Sequence, residues 1–518
     1  MKKNLLALMA ASLVCASCAK EMQEVSVTAP EQQTLMTKLV GGAQGELIPG
    51  KVLIRMDESS AKELNSGDFT IFNNLEGVKI TPALPIQPKN AEIARKYGLH
   101  QWFAVEYDVQ VKPETMATRL AGLKQVEAVQ YDRYIERIEG GEPVAIDLPA
   151  LTKSAAPKDG DSPKYLAQFN DPYLRYQWNL VNEGTIVESA VEGADVGVRD
   201  AWKLTAGDPS VVVAVFDCAV NSMHEDLADA LWKNQAEIDG QVGKDDDGNG
   251  YIDDIHGWNF ERDTCKIDWT TDNETGHGTH VAGTIAAVNN NGRGVASVAG
   301  GDKAKGLPGV KLMSCQIFED QPDGTTKSAG GAAAIKWGAD HGAVISQNSW
   351  GYTFDSDGNG SLDGTEYANA MNARISGSDK AAVDYFIKYA GCDNKGNQLP
   401  NSPMKGGVVI FAAGNDAIAN GAPAEYEQVI AVGSVASNRT RSDFSNYGDW
   451  VDICAPGSSI KSTVPNNRYA IMGGTSMACP HVSGVAALIV SYFGGPGFTN
   501  EMLKEKLLNS VNYDAMPK

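Results

Sequence analysis

Three residues stand where hydrolytic chemistry is possible. Asp217 directly follows the apolar run Val211 to Phe216. A carboxylate at the end of a buried strand is costly unless it is hydrogen-bonded. His277 lies in Gly276-His277-Gly278-Thr279-His280-Val281-Ala282-Gly283-Thr284, where glycines let other groups approach the imidazole. Ser476 lies in Gly473-Gly474-Thr475-Ser476-Met477-Ala478-Cys479-Pro480-His481-Val482, ahead of the apolar stretch Val485 to Val490. That stretch predicts a helix buried on most sides, with Ser476 at its amino end and Pro480 tolerated in the first turns. Backbone N–H groups at a helix start favour developing negative charge. Taken singly, each residue has a structural explanation: a capping serine, a structural histidine, an acid bound to backbone amides. Together, in the order Asp, His, Ser, they match one of the known orders of a nucleophile–base–acid triad.

Chemistry of this kind needs a scaffold that brings distant segments together. From about residue 170 onward short apolar runs recur: Val211 to Phe216, Leu312 to Ile317, Val344 to Ser346, Val408 to Phe411 and Val429 to Val432. Runs apolar on both faces predict strands of a parallel sheet covered by helices, with chemistry gathered beyond the carboxyl ends. Residues 46–138 predict a separate small domain. Lys51 to Met56 and Trp102 to Tyr107 are strand candidates, and Pro113 to Leu123 a helix. The order strand, helix, strand, helix, strand suggests a small α+β sandwich. Residues 19–45 are polar and predict a flexible tether. Residues 139–170 predict a linker exposed to proteolytic cutting.

The three motifs resemble the signatures of the subtilase family of serine peptidases. Further segments strengthen the likeness: Gln347-Asn348-Ser349-Trp350-Gly351, Phe411-Ala412-Ala413-Gly414-Asn415, Asp443 to Gly448 and Val451 to Gly457. The resemblance implies an α/β, subtilisin-like, doubly wound and mostly parallel sheet over residues 171–518, preceded by an inhibitory propeptide. It implies a serine endopeptidase made as a self-inhibited precursor and matured by cleavage between about 139 and 170. Ser476 is expected to attack the scissile carbonyl, His277 to carry its proton, and Asp217 to orient the imidazole. The Asn415 amide and the Ser476 N–H are expected to stabilise the oxyanion. His280 and His481 are structural companions. For substrate, Ser349, Trp350 and Gly351 correspond to a recognition strand. Ala412, Ala413 and Gly414 correspond to one pocket wall, and Gly421 to its base. Asp416 falls at the rim and would favour a basic residue, but no dense acidic cluster accompanies it, so a broad or apolar preference is expected. Cys218-Ala219 after Asp217 departs from the family's usual Ser or Thr and Gly, and exposes the site to thiol oxidation.

Two loops suit a hard cation. Asp355, Asp357, Asn359, Ser361, Asp363 and Glu366 occupy positions 1, 3, 5, 7, 9 and 12 of an EF-hand-like loop, with Gly360 at position 6. Asp245, Asp247, Asn249, Tyr251 (through its carbonyl) and Asp253 form a partial second match without the terminal Glu. Calcium is the expected structural ion, and an Asx-turn loop or solvated acidic turn the alternative. The triad needs no catalytic cofactor.

The chain has 518 residues and a net charge of −21, from 44 Lys plus Arg and 65 Asp plus Glu. That balance argues against nucleic-acid binding. Lys2 and Lys3 precede the apolar run Leu5 to Val14, which reads as a signal peptide. Cys15-Ala16-Ser17-Cys18 resembles a bacterial lipoprotein signal, with Cys18 the lipidated residue and lipid anchoring to a bacterial membrane the expected location. A soluble secreted protein is the alternative. No later run predicts a membrane-spanning helix. The six remaining cysteines, without CxxC spacing, either pair or stay free and buried. Two further readings stay open: a peptide-binding lipoprotein of the same shape, and a calcium-dependent adhesion protein.

Overall fold

All five runs expected as buried strands are strands. The structure, a computed structural model, describes residues 29–42, 45–138, 144–146, 169–185, 189–269, 276–319, 328, 330–355 and 361–511. The leader and its Cys18, and most of the expected linker, lie outside the described residues.

The amino-terminal domain begins with helix α1 (Ala29–Lys38) and runs β1 (Leu47–Met56), α2 (Glu58–Asn65), β2 (Lys79–Pro82), α3 (Ala91–Lys96), β3 (Trp102–Glu106), α4 (Pro113–Ala121) and β4 (Val126–Arg133). Its antiparallel sheet has the order β2-β3-β1-β4. Val52, Ile54, Phe103, Val105 and Val129 alternate inward and meet Met116 and Leu120 of α4 in a core of their own. The expected tether is therefore partly structured: Leu35 of α1 is buried in this core, and the Leu39 bridge to Val129 ties the chain down. Two short strands follow, β5 (Ile135–Arg137) and β6 (Val144–Ala145), and both pair with the larger domain.

The larger domain opens with a one-turn helix α5 (Val198–Ala201), then β7 (Val212–Asp217), α6 (Gln235–Asp239), β8 (Gly257–Asn259) and α7 (His277–Ala286). A small hairpin, β9 (Gly301–Asp302) and β10 (Leu307–Pro308), precedes β11 (Lys311–Gln316) and α8 (Gly331–Asp340). Next come β12 (Ile345–Asn348), β13 (Trp350–Tyr352), α9 (Gly364–Asn372), α10 (Gly377–Tyr389), β14 (Val408–Ala412), β15 (Ile430–Val435) and β16 (Ile453–Pro456). The hairpin β17 (Ile460–Val464) and β18 (Arg468–Met472) leads into α11 (Thr475–Phe493) and α12 (Asn500–Asn509). Seven strands form a sheet in the order β16-β15-β14-β12-β7-β11-β8, and its pairings are parallel. Helices cover both faces, so the inner strands are buried throughout: β7 and β14 have no exposed residue. By length and composition α11 passes for a membrane span, contrary to the sequence expectation. Its Met477, Val482, Ala486 and Val490 are instead buried in the protein core. All six described cysteines are free, so no disulfide links these residues.

Candidate active site

The sheet delivers its chemistry at one pole. Asp217 is the last residue of β7, His277 the first of α7, and Ser476 the second of α11. Asn415 stands three residues beyond β14. All three triad candidates are buried in this structure, with a segment of the chain itself seated over them.

The His277 Nδ1 lies 2.7 Å from Asp217 Oδ1, and that same oxygen accepts the Cys218 N–H at 2.8 Å. A carboxylate only accepts, so Nδ1 carries a proton, and in the neutral imidazole Nε2 is the nitrogen with the lone pair. Nε2 is buried and makes no hydrogen bond among the described residues, so it is free to act as a base. The approach of α7 to β7 requires glycine. A Cβ on Gly278 would run into the Cys218 carbonyl and stand 3.3 Å from Asp217 Cβ. The Gly278 N–H donates to Cys218 Sγ at 3.1 Å, which gives the unusual cysteine a structural place.

Asn415 has a fixed orientation. Its Oδ1 accepts from both the N–H and the hydroxyl of Thr475, each at 2.9 Å. The amide nitrogen must then face the other way. It points to the carbonyl oxygen of Ile138 at 3.4 Å, and Ser476 Oγ donates to that same oxygen at 2.5 Å. Ile138 arrives as part of an added strand. β5 runs antiparallel to β13, pairing Arg137 with Trp350 and Glu136 with Gly351, and the Ile138 N–H donates to the Ser349 carbonyl at 3.2 Å. Ser349 is braced below by its hydroxyl, which donates to the Ser476 carbonyl at 2.9 Å.

The expected recognition residues therefore converge, with one distinction. Gly351, Ala412, Ala413, Gly414, Asp416 and Gly421 line a single cleft beside Ile138. Trp350 contributes backbone only, because its ring packs edge-on against Phe411 at 4.9 Å in the core. Gly351 faces Ile138, whose Cδ1 would be 3.6 Å from an added Cβ. Tyr352, Phe354 and Ile418 add apolar surface to a lining that also holds Asn415, Asn420 and Asn446. Asp416, expected to attract a basic residue, receives the Asn446 amide at 3.4 Å.

Residues 208–518 match the subtilase family. The chain belongs to that family. Thermitase of Thermoactinomyces vulgaris is 34% identical over 292 residues, covering 56% of this subtilase and 78% of thermitase. A thermophilic serine proteinase of Bacillus sp. (strain AK1) is 34% identical over 297 residues, 56% of this chain, which spans only 55% of that protein. In fold it is similar to fervidolysin of Fervidobacterium pennivorans, a keratinolytic enzyme related to subtilisin. There the TM-score is 0.54 and the identity 22%, over 92% of this chain and 63% of the other.

The subtilase's two companion histidines are packed as structure. His280 Nε2 donates to the Ile460 carbonyl at 3.0 Å, and His481 Nδ1 to the Met477 carbonyl at 2.7 Å. Burial holds His280 down at about 3 and His481 at about 4. Both stay neutral when folded, while an unfolded histidine takes up a proton below about 6.5. Stability from this source is complete above pH 6.5 and is lost as pH falls. At pH 5 the loss is about 2 kcal/mol per histidine. Buried Asp226, Asp254 and Glu425, each pushed up to about 7, respond to the same pH change with the opposite sign, so the check compares the pH 7 and pH 5 melting temperatures of a Ser476→Ala precursor with those of the same precursor carrying His481→Gln.

The first cation loop is only partly described, and the second gathers its carboxylates in a way that spacing did not show. Asp357 and Asn359 lie outside the described residues, while Asp363 stands at the N-cap position of α9 without a side-chain bond to the helix and Glu366 sits in its first turn. In the second loop, Asp245 and Asp247 meet Glu237 of α6, with one oxygen from each lying within 4.8 Å of the others. Sequence spacing gave no sign of Glu237. Asp253 turns instead to the Gly243 N–H at 2.8 Å, and Asn249 Oδ1 accepts the Tyr251 N–H at 2.6 Å. The Tyr251 ring packs against Trp258 at 4.9 Å. Three carboxylates from one turn and one helix are a hard-oxygen donor set of the kind calcium takes.

Proposed function

We propose that this subtilase is an exported serine endopeptidase, made as a self-inhibited precursor, and that its first substrate is its own bond after Ile138. What supports the reading is the Ile138 carbonyl oxygen, lying between Ser476 Oγ and the Asn415 amide on an added strand. The bond lies at the leading edge of the linker expected to be cut.

The chemistry follows from the geometry. The Ser476 hydroxyl turns from the Ile138 oxygen toward His277 Nε2, and Oγ attacks the Ile138 carbonyl carbon as its proton passes to that nitrogen. Asp217 holds the imidazole and offsets the charge of the imidazolium. The oxyanion forms where the Asn415 amide points, at the amino end of α11. Collapse breaks the C–N bond, and His277 returns its proton to the departing amine. Water then attacks the acyl-enzyme by the same route, releasing a carboxyl group at Ile138. The amino-terminal domain stays over the cleft as an inhibitor until it departs. For other substrates the cleft, lined by both polar and apolar residues, is expected to take a broad range of residues before the cut, and extended protein segments are the substrate class. Export follows the leader, with a lipid on Cys18 as the anchor.

The test uses purified full-length precursor with casein as substrate. Mass spectrometry is expected to find a fragment ending at Ile138, and casein is digested afterwards. A precursor that stays intact and inert, with calcium present, would sink the reading.

Calcium is proposed as a structural ion on Glu237, Asp245 and Asp247. It acts by binding only the native state. At about a hundred times its dissociation constant it adds about 2.7 kcal/mol. A chelator is therefore expected to lower the melting temperature of the Ser476→Ala precursor, and Asp247→Ala to shrink that difference. Equal melting temperatures with and without chelator would exclude the ion.

A further inference from the structure

The carbonyl of the nucleophile's own residue lacks the helical donor it would ordinarily have. Ser476 is the second residue of α11, where a carbonyl accepts the N–H four residues on. That residue is Pro480, which has no N–H to give. A buried carbonyl left without a donor is costly. Here the donor comes from outside the helix: Ser349 Oγ gives its proton to the Ser476 carbonyl at 2.9 Å. A hydroxyl has one proton, so toward any other neighbour Ser349 Oγ can only accept.

That neighbour is Gln347 of β12. Its Nε2 donates to Ser349 Oγ at 2.8 Å. Its Oε1 faces α11, where it accepts the Ser483 hydroxyl and, at 3.4 Å, the Cys479 thiol. Burial pushes the Cys479 thiol up to about 12, so it keeps its proton and stays a donor. Donors on one side and an acceptor on the other fix which way round the amide stands. None of the hydrogen bonds of Gln347 reaches the bound segment or a triad side chain.

Regular structure places these parts. β12 is an inner strand of the sheet, and Gln347 stands opposite Val215 of β7 and Ile410 of β14. Residues 476, 479 and 483 follow one another at steps of three and four, so they share one face of α11. Gln347, Ser349, Ser476, Cys479 and Ser483 are all buried, so water does not compete for these bonds. Ser349 then connects the network to the reaction. Its carbonyl accepts the Ile138 N–H at 3.2 Å, and Ser476 Oγ lies 3.2 Å from that same oxygen. One residue thus holds the segment to be cut by its main chain and the nucleophile's residue by its side chain.

We propose that Gln347 is a positioning residue for the reaction. It aims the Ser349 hydroxyl, and that hydroxyl keeps the Ser476 main chain in register with the bound segment. Cys479 and Ser483 hold Gln347 in turn, which ties the register to the first turns of α11. The effect falls on the rate of attack and not on binding, because the Ser349 carbonyl and the β13 backbone stay where they are. A nucleophile misplaced by about 1 Å loses about a hundredfold in rate. The inference rests on Ser476 being the nucleophile, as proposed above.

The experiment uses full-length precursor. Mass spectrometry gives the rate of the cut after Ile138. A fluorophosphonate probe then counts active sites, and a fluorogenic peptide gives kcat and KM per site. Gln347→Met keeps the length of the side chain and removes its hydrogen bonds. It is expected to lower kcat about 10- to 100-fold with KM within about twofold, and to slow the cut by a similar factor. Ser349→Ala is expected to match it. The double variant is expected to be no slower than Ser349→Ala alone, because both changes act through one hydroxyl. A merely structural Gln347 would lower the melting temperature at unchanged kcat per site, or give losses that multiply in the double variant. Either result overturns the inference. If Gln347→Met yields no folded precursor, Ser349→Ala decides: wild-type kcat in that variant overturns the inference, and a loss in kcat at constant KM upholds it. A Ser476→Ala precursor that still cuts overturns the reading of the nucleophile and this inference with it.

Discussion

Ser476→Ala is expected to leave the precursor a single uncut chain and to lower peptidase activity by about 10⁴ to 10⁶ in kcat, measured on a peptide substrate. The hydroxyl is the only group removed, and its Oγ lies 2.5 Å from the Ile138 carbonyl oxygen, to which it donates. Without it, His277 Nε2 has no proton to take from a nucleophile, and the acyl-enzyme route is closed. The oxyanion donors remain, so a residual acceleration over water survives. The fold is expected to stand, because the serine's neighbours Thr475 and Met477 carry the packing at that turn. A variant with a normal melting temperature that still cuts after Ile138 contradicts the assignment of nucleophile. Since the cut is proposed to be intramolecular, its rate in the wild type is expected to be independent of protein concentration.

What the sequence disclosed, and what it did not, follows from where information about position is stored. The inner strands were legible because burial on both faces forces an unbroken apolar run, as in Val408 to Phe411. The edge strands β8 and β16 were not. Gly257-Trp258-Asn259 and Ile453-Cys454-Ala455-Pro456 are short and mixed, and each is paired on one side only. Asp217 was legible because it ends a buried apolar run, and His277 and Ser476 because glycines stand close to them, as the Gly278 contacts with Cys218 and Asp217 make plain for His277. Ile138 carries no such mark. It is one aliphatic residue among charged neighbours, and only the pairing of β5 with β13 brings its carbonyl to Ser476. Glu237 was hidden for the same reason, since the turn from Asp245 folds back onto a helix that spacing does not reach. Trp350 was expected in a recognition strand, and its backbone serves there, while its ring is core against Phe411.

Asn415→Ala tests the part of the site that stabilises charge instead of creating the nucleophile. It is expected to lower kcat by about 10² to 10³ with KM nearly unchanged, a barrier increase of about 3–4 kcal/mol. KM stays because the extended segment is held by the Ser349 carbonyl and the β13 backbone, which the substitution does not touch. The amide's 3.4 Å approach to the Ile138 oxygen is long for a ground-state bond and shortens when that oxygen moves out as the oxyanion. This difference between states is what makes the contact catalytic rather than adhesive. Thr475 then matters at one remove. Its N–H and hydroxyl both donate to Asn415 Oδ1. Thr475→Val removes one of the two, and the remaining backbone bond keeps the amide aimed. The expected loss in kcat is therefore well below that of Asn415→Ala. A drop as large as the alanine variant's would mean that the hydroxyl, not the backbone, sets the orientation on which the oxyanion site depends.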